Sequence, residues 1–276
     1  MCESLTACND VLCEFSNLIA EGRFNTWEGS LRTGVDLGTA NIVLAVVDEE
    51  NRPVAGATYR STVVRDGIVV DYMGAIRAVS RLKNQLEELL GTTLEAGACA
   101  IPPGIMPGNV KAIGNVVESA GFRLTNVVDE PTAAAAVLGI KNGAVVDVGG
   151  GTTGISILKD GKVIFTGDEP TGGIHMTLAL AGAYGLSTDE AEAMKIDPTQ
   201  EKKVFPAIKP VVEKMASIVQ RYLRDYPDVE TVYVVGGSCC FSQFEQVFEK
   251  YLGIKTIKPV APLLVTPLGI ALHCME

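Results

Sequence analysis

Apolar residues in this chain recur at helical spacing in some stretches and gather into short solid runs in others. Val11, Leu12, Phe15, Leu18 and Ile19 share one face of a helix that Gly22 ends. Ile76, Val79, Leu82, Leu86 and Leu89 predict a second helix over 75–90, and 110–120 a third, stopped by Gly121. The clearest amphipathic helix is 208–223, with Val211, Val212, Met215, Ile218, Val219 and Tyr222 in register. Between these lie apolar runs of strand length at 43–47, 98–101, 144–148, 155–158, 163–166 and 232–235, and the chain closes with 268–273. Alternation of this kind predicts an α/β fold of packed layers. The first helix admits two readings, one docked on the main body and one free to bind a partner or direct packaging.

One segment occurs twice. Gly34-Val35-Asp36-Leu37-Gly38-Thr39-Ala40-Asn41 parallels Val146-Asp147-Val148-Gly149-Gly150-Gly151-Thr152-Thr153. Each is a strand ending in Asp, a Gly/Thr turn, a second strand and a polar hairpin. Two copies about 110 residues apart predict two halves of like fold, and the boundary between such halves is where clefts for small molecules form.

Composition narrows the function. The 276 residues are 47% hydrophobic and 20% charged, which excludes a disordered chain, and the 29 glycines follow no three-residue period. A formal charge of −10 with no basic patch argues against nucleic acid as a partner. No apolar run reaches the ~18 residues of a membrane span. Met1-Cys2-Glu3-Ser4 lacks the basic region of a secretory signal. The seven cysteines contain no C-x-x-C spacing and are expected to be reduced thiols of a cytoplasmic protein.

The paired turns carry the chemistry. Glycines after an apolar strand let backbone N–H groups approach an anion, and the hydroxyls of Thr39, Thr152 and Thr153 add donors. A tight hairpin reads the same way, so neither turn decides alone. Asp36 and Asp147, however, each end an apolar strand, where an unpaired carboxylate is costly to bury and two of them repel. A divalent cation answers both costs, and magnesium prefers few carboxylates, retained waters and phosphate oxygens. Two anion cradles and two metal-facing acids are the parts a nucleoside triphosphate needs.

In family order, these turns, Val128-Asp129-Glu130-Pro131-Thr132-Ala133-Ala134-Ala135, Val234-Val235-Gly236-Gly237-Ser238 and Pro267-Leu268-Gly269-Ile270-Ala271 resemble the nucleotide motifs of the actin, sugar-kinase and DnaK-type chaperone superfamily. Val64-Arg65-Asp66-Gly67-Ile68-Val69, Pro102-Pro103-Gly104, Glu118-Ser119-Ala120-Gly121 and Gly236-Gly237-Ser238-Cys239 are similar, more closely, to a chaperone-like family encoded with ethanolamine-utilisation and bacterial microcompartment genes. The resemblance implies two ribonuclease-H-like, actin-like ATPase domains around a central cleft. The motifs cover 33–276, leaving 1–32 as an amphipathic extension, and imply a domain of 33–140 plus 256–276 with a small insertion near 57–75. A second domain of 141–255 would carry an insertion near 168–205.

It also implies roles. Asp36 and Asp147 would hold magnesium, and Gly38, Thr39, Ala40, Asn41, Gly149, Gly150, Gly151, Thr152 and Thr153 would surround the phosphates of ATP. Glu130 and Asp147 would be the catalytic acids, Glu130 orienting the attacking water. Gly172 and Gly173 would close over the terminal phosphate, Glu192 and Lys195 would contact ribose and adenine, and Gly236, Gly237 and Ser238 would lie under the base. Plainer readings stand beside these. Glu130 could simply cap the helix that follows. Glu192 and Lys195 could be an ordinary surface ion pair, and Ser238 an N-cap. His175 and His273 read as structural and Cys239-Cys240 as packing beside the base.

Ala40 and Gly154 stand where relatives carry a Thr and an acid, which predicts slow hydrolysis. The chain ends just after the last motif, so peptide clamping in the DnaK manner is not expected. The expected function is magnesium-dependent ATP/ADP binding with slow ATPase activity, cytoplasmic or microcompartment-associated. Ethanolamine ammonia-lyase or shell and cargo proteins would be the partners. The alternative is an actin-like nucleotide-dependent scaffold or assembly adaptor. A kinase lacks a nominated base, and a dinucleotide oxidoreductase lacks G-x-G-x-x-G spacing.

Overall fold

A computed structural model describes residues 5–65 and 67–275; Cys2 and Asp66 lie outside the described residues. The first half runs through α1 (Leu5–Glu21), β1 (Arg32–Leu37), β2 (Asn41–Val47), β3 (Pro53–Arg60), the short β4 (Val64–Arg65) and β5 (Ile68–Val69), then α2 (Tyr72–Leu90) and β6 (Ala96–Ile101). It ends with α3 (Pro107–Ser119), β7 (Arg123–Asp129) and α4 (Glu130–Leu138). The second half comprises β8 (Gly143–Val148), β9 (Thr153–Lys159), β10 (Lys162–Glu169), α5 (Gly173–Tyr184), α6 (Thr188–Ile196) and α7 (Glu201–Leu223). It is followed by β11 (Thr231–Val235), α8 (Phe244–Leu252), β12 (Lys255–Ile257) and α9 (Val265–Leu272).

The repeat seen in the sequence is a repeat of topology. The sheets are ordered β3-β2-β1-β6-β7 and β10-β9-β8-β11-β12. In each, a three-stranded antiparallel meander is extended by two strands parallel to its first strand. β2 is buried from Ile42 to Val47 on both faces, because helices cover both sides of the sheet. Asp71 caps α2 by accepting from the Gly74 N–H, and Gly91 ends it in the left-handed conformation.

α7 starts seven residues before the predicted 208. A proline removes a helical N–H and crowds the preceding turn, yet the helix runs through two of them. Pro206 and Pro210 both lie on the solvent face of α7. β3 runs to Arg60, so the small β4–β5 hairpin begins after residue 60 rather than near 57.

Of the two readings of the first helix, the structure shows the docked one. Cys8, Leu12, Phe15 and Leu18 of α1 are buried. Cys8, Leu12 and Phe15 share a cluster with Val43, Ala45 and Val47 of the first sheet and Val145, Leu158 and Val235 of the second, together with Ala134 of α4 and Leu268 of α9. This cluster is the seam between the halves. The six described cysteines are free thiols, and among the described residues no helix is long and apolar enough to cross a membrane.

Candidate functional site

β1 and β8 occupy matching central positions in their sheets, so their final residues bring Asp36 and Asp147 to the same boundary. The turns that follow meet there. A Cβ on Gly150 would lie 3.2 Å from the Ala40 Cβ and the Thr39 Cβ, so a side chain here would push the two turns apart by a few tenths of an ångström. The second turn is braced from behind. Ser238 Oγ donates to the Gly149 carbonyl at 2.8 Å, and the Gly173 and Ile174 N–H groups donate to the carbonyls of Gly149 and Gly150 at 3.0 and 2.8 Å.

A cavity of about 1070 Å³ opens between the turns. Gly38, Thr39, Ala40 and Asn41 line it from the first half, and Gly149, Gly150, Gly151 and Thr152 from the second. Glu130, Glu192, Lys195, Gly236, Gly237 and Ser238 also face it. Three expected site residues do not. Thr153 is buried, with its hydroxyl donating to the Thr171 carbonyl at 2.5 Å, and Gly172 and Gly173 support the second turn from outside the lining. A Cβ on Gly172 would fall 2.6 Å from the Gly151 carbonyl carbon, so this glycine is accounted for by packing.

The acids are electrostatically loaded. Burial, aided by the charge of Asp147, raises the Asp36 pKa from 3.8 to about 7. Burial lifts Asp147 to about 6, against the lowering effect of the Thr266 hydroxyl, which donates to Asp147 Oδ2 at 2.5 Å. Glu130 is pushed well above the usual carboxylate range by burial and then by Asp147, Asp36, Asp168 and Asp129. Gly236, at φ +92°, sits so close that a Cβ would lie 2.4 Å from Asp147 Oδ1. Among the described residues no three His, Cys, Asp or Glu side chains form a cage for a metal. Asp36 and Asp147, two buried carboxylates facing one cavity, are donors of the kind a cation completed by waters and phosphate oxygens would use, as magnesium prefers.

Several alternatives left open by the sequence are decided by geometry. The side-chain cap of α4 is Asp129, which accepts from the Thr132 N–H at 3.0 Å, while Glu130 stands in the first turn of the helix, where an acid is favoured as the plainer reading expected. Ser238 lies inside a 3-10 turn, Gly237–Cys239, whose cap is Gly236. Lys195 is mostly buried, bonding Glu192 at 2.6 Å, the Thr177 hydroxyl at 2.7 Å and the Gly173 carbonyl at 3.0 Å, which is not an ordinary surface pair. His175 Nδ1 accepts from the Gly172 N–H at 3.2 Å, and the His273 ring bonds the Gly269 carbonyl at 2.8 Å; both are structural. Cys239 is buried and Cys240 lines the cavity. Sequence reasoning missed Thr266 and Arg60. The one hydroxyl in the apolar stretch 262–272 was the signal for Thr266; Arg60, which reaches Glu192 from the other half at 3.2 Å, gave none.

Among known proteins, residues 123–264 match the family model of the Type IV pilus assembly protein PilM, and residues 54–182 that of the MreB/Mbl protein. Ethanolamine utilization protein EutJ of Escherichia coli K12 is 43% identical over 245 residues, 88% of this chain and 86% of that one. The crystal structure of EutJ from Carboxydothermus hydrogenoformans matches with a TM-score of 0.93 at 47% identity, covering 97% of this chain and 98% of its own. A crystal structure of MreB 5 of Spiroplasma citri bound to AMPPNP gives a TM-score of 0.73, covering 89% of this chain and 96% of that one. At 16% identity, that likeness is one of fold.

Proposed function

The chain belongs to the EutJ family of ethanolamine utilization proteins, built on an actin-like ATPase fold, and from this we propose that it binds ATP with magnesium between its halves and hydrolyses it slowly. One observation carries the reading: Asp36, Glu130 and Asp147 come together around one cavity, all held above the usual carboxylate range. Buried acids that repel one another cost the fold energy unless a cation offsets their charge. Asp36 and Asp147 would hold magnesium, mostly through its waters, and the metal would neutralise phosphate charge. The facing turns would receive the phosphates. Gly236, Gly237 and Ser238, with Glu192 and Lys195, would receive the nucleoside, and Glu130 would orient water.

The protein would work in the cytoplasm, serving an enzyme or shell component of ethanolamine utilisation such as ethanolamine ammonia-lyase, and presenting a different surface with ATP than with ADP. The PilM match over 123–264 favours a second reading, a nucleotide-dependent assembly adaptor with little turnover. Nucleotide-dependent sedimentation separates the two.

Calorimetry with ATP and ADP, with and without Mg²⁺, tests the site. Heat that requires Mg²⁺ is expected, and Glu130→Gln should keep that affinity while phosphate release falls at least about 100-fold. No heat from either nucleotide removes the reading, and undiminished turnover removes Glu130 from it.

A further inference from the structure

The cavity does not end at the turns. It continues along the first half beneath Tyr59 and past α2, where Arg77 and Arg81 line it. The same two arginines line a separate groove of about 540 Å³ on the exposed face of α2, with Ser80, Asn84, Gln85 and Glu88. Arg77 and Arg81 thus stand where the cleft passes into an open surface track. Both are exposed, and neither is in an ion pair among the described residues. The Arg81 guanidinium lies over the Tyr59 ring, 5.4 Å from its centroid, which holds it in place without neutralising it.

The proposed nucleotide contacts are assigned to other residues of this cavity, which leaves Arg77 and Arg81 unused by that reading. The chain carries a net charge of −10, so an anionic partner is repelled by most of its surface and needs a local cationic landing point. The acids beside the pair are already engaged or peripheral. Asp71 caps α2, Glu192 is tied to Lys195, and Glu88 stands at the end of the groove away from the cleft, eleven residues beyond Arg77 on the same helix. Spacing then identifies the ligand. Residues four apart on a helix rise about 6 Å, and alternate residues of an extended strand point the same way about 6.6 Å apart. Arg77 and Arg81 therefore match two carboxylates at i and i+2 of an extended chain. Ser80, Asn84 and Gln85 beside them offer donors and acceptors for its backbone.

We infer that the track along α2, anchored by Arg77 and Arg81, is a docking site for an extended, acidic segment of a partner protein. Its continuity with the cleft places that segment beside the boundary of the two halves.

The test is fluorescence anisotropy with a dye-labelled ten-residue peptide carrying Glu at alternate positions, and with its Gln counterpart, in the absence of nucleotide. The full chain should bind the Glu peptide, with affinity falling as salt rises, and should not bind the Gln peptide. R77A/R81A should weaken binding about tenfold, as expected for the loss of two exposed charge pairs. Both positions are exposed, so the variant should melt with the wild type by circular dichroism. It should also keep the wild-type heat of Mg²⁺–ATP binding, which separates failure here from failure of the nucleotide reading. Equal binding of both peptides, undiminished binding by R77A/R81A, or no binding at all overturns the inference. So does competition by free glutamate or inorganic phosphate at peptide-like concentrations, which would mark a small-anion site.

Discussion

Asp147 is constrained from several directions, and each constraint has a different origin in the chain. It pairs with Gly154 on β9 and with Val235 on β11, accepts from Thr266, and faces Gly236 where no side chain fits. Asp36 has fewer supports and the larger rise, to about 7. A carboxyl whose folded pKa exceeds its unfolded value favours the fold when protonated. That contribution is complete below 3.8 and is lost as pH climbs through about 7. Asp36→Asn removes the loss, so without nucleotide its melting temperature relative to wild type should climb from pH 4 to 7 and level off above. A pH-independent difference would show that Asp36 is not held up by burial. Asp36, Asp147 and Glu130 were legible in the sequence because an acid closing or following an apolar strand is conspicuous. The Thr266 bond and the assignment of the α4 cap to Asp129 were not, because both depend on how separate segments meet.

Elements were readable where their periodicity was strong, as in α2 and α7, and obscure where tertiary packing decides. β3 mixes small residues with polar ones, and its last three residues are exposed; it is a strand because it lies along β2 and beneath α1. α5 and α9 are apolar nearly all round, which conceals a helical period; α9 is buried almost throughout, whereas α5 leaves Ile174, Leu178 and Tyr184 exposed. α1 shows the opposite case, a legible helix whose role was not. Its Phe15 ring packs on Gly56 of β3, where a Cβ would come within 2.5 Å, and reaches the cluster shared by both sheets. Phe15→Ala should therefore cost about 3–5 kcal/mol of unfolding free energy, seen as a lower urea midpoint with one cooperative transition. A cost below about 1 kcal/mol would assign α1 a peripheral place.

The two halves are joined along one side by the apolar seam of α1, α4 and α9, and across the cavity by Arg60 reaching Glu192. Glu192 is well held for this role. Burial would raise its pKa, but bonds from Lys195 and the Thr177 hydroxyl, with the charges of Lys195 and Arg60, outweigh burial and keep it ionised. Arg60 is more than half exposed, so the bridge is weak, of order 0.2–1 kcal/mol. A weak contact at the open edge and a dry seam at the other is how a hinge is built: the seam sets the axis, and the bridge sets how often the cleft opens. If a nucleotide leaves only when the halves part, Arg60→Ala should speed release of a fluorescent ADP analogue about two- to fivefold, since the bridge energy enters the opening equilibrium. Association should change less, because entry does not break the bridge in molecules already open. Stopped-flow displacement measures both rates. An unchanged release rate would mean that opening is governed at the seam, and Phe15→Ala would then be the variant that accelerates it.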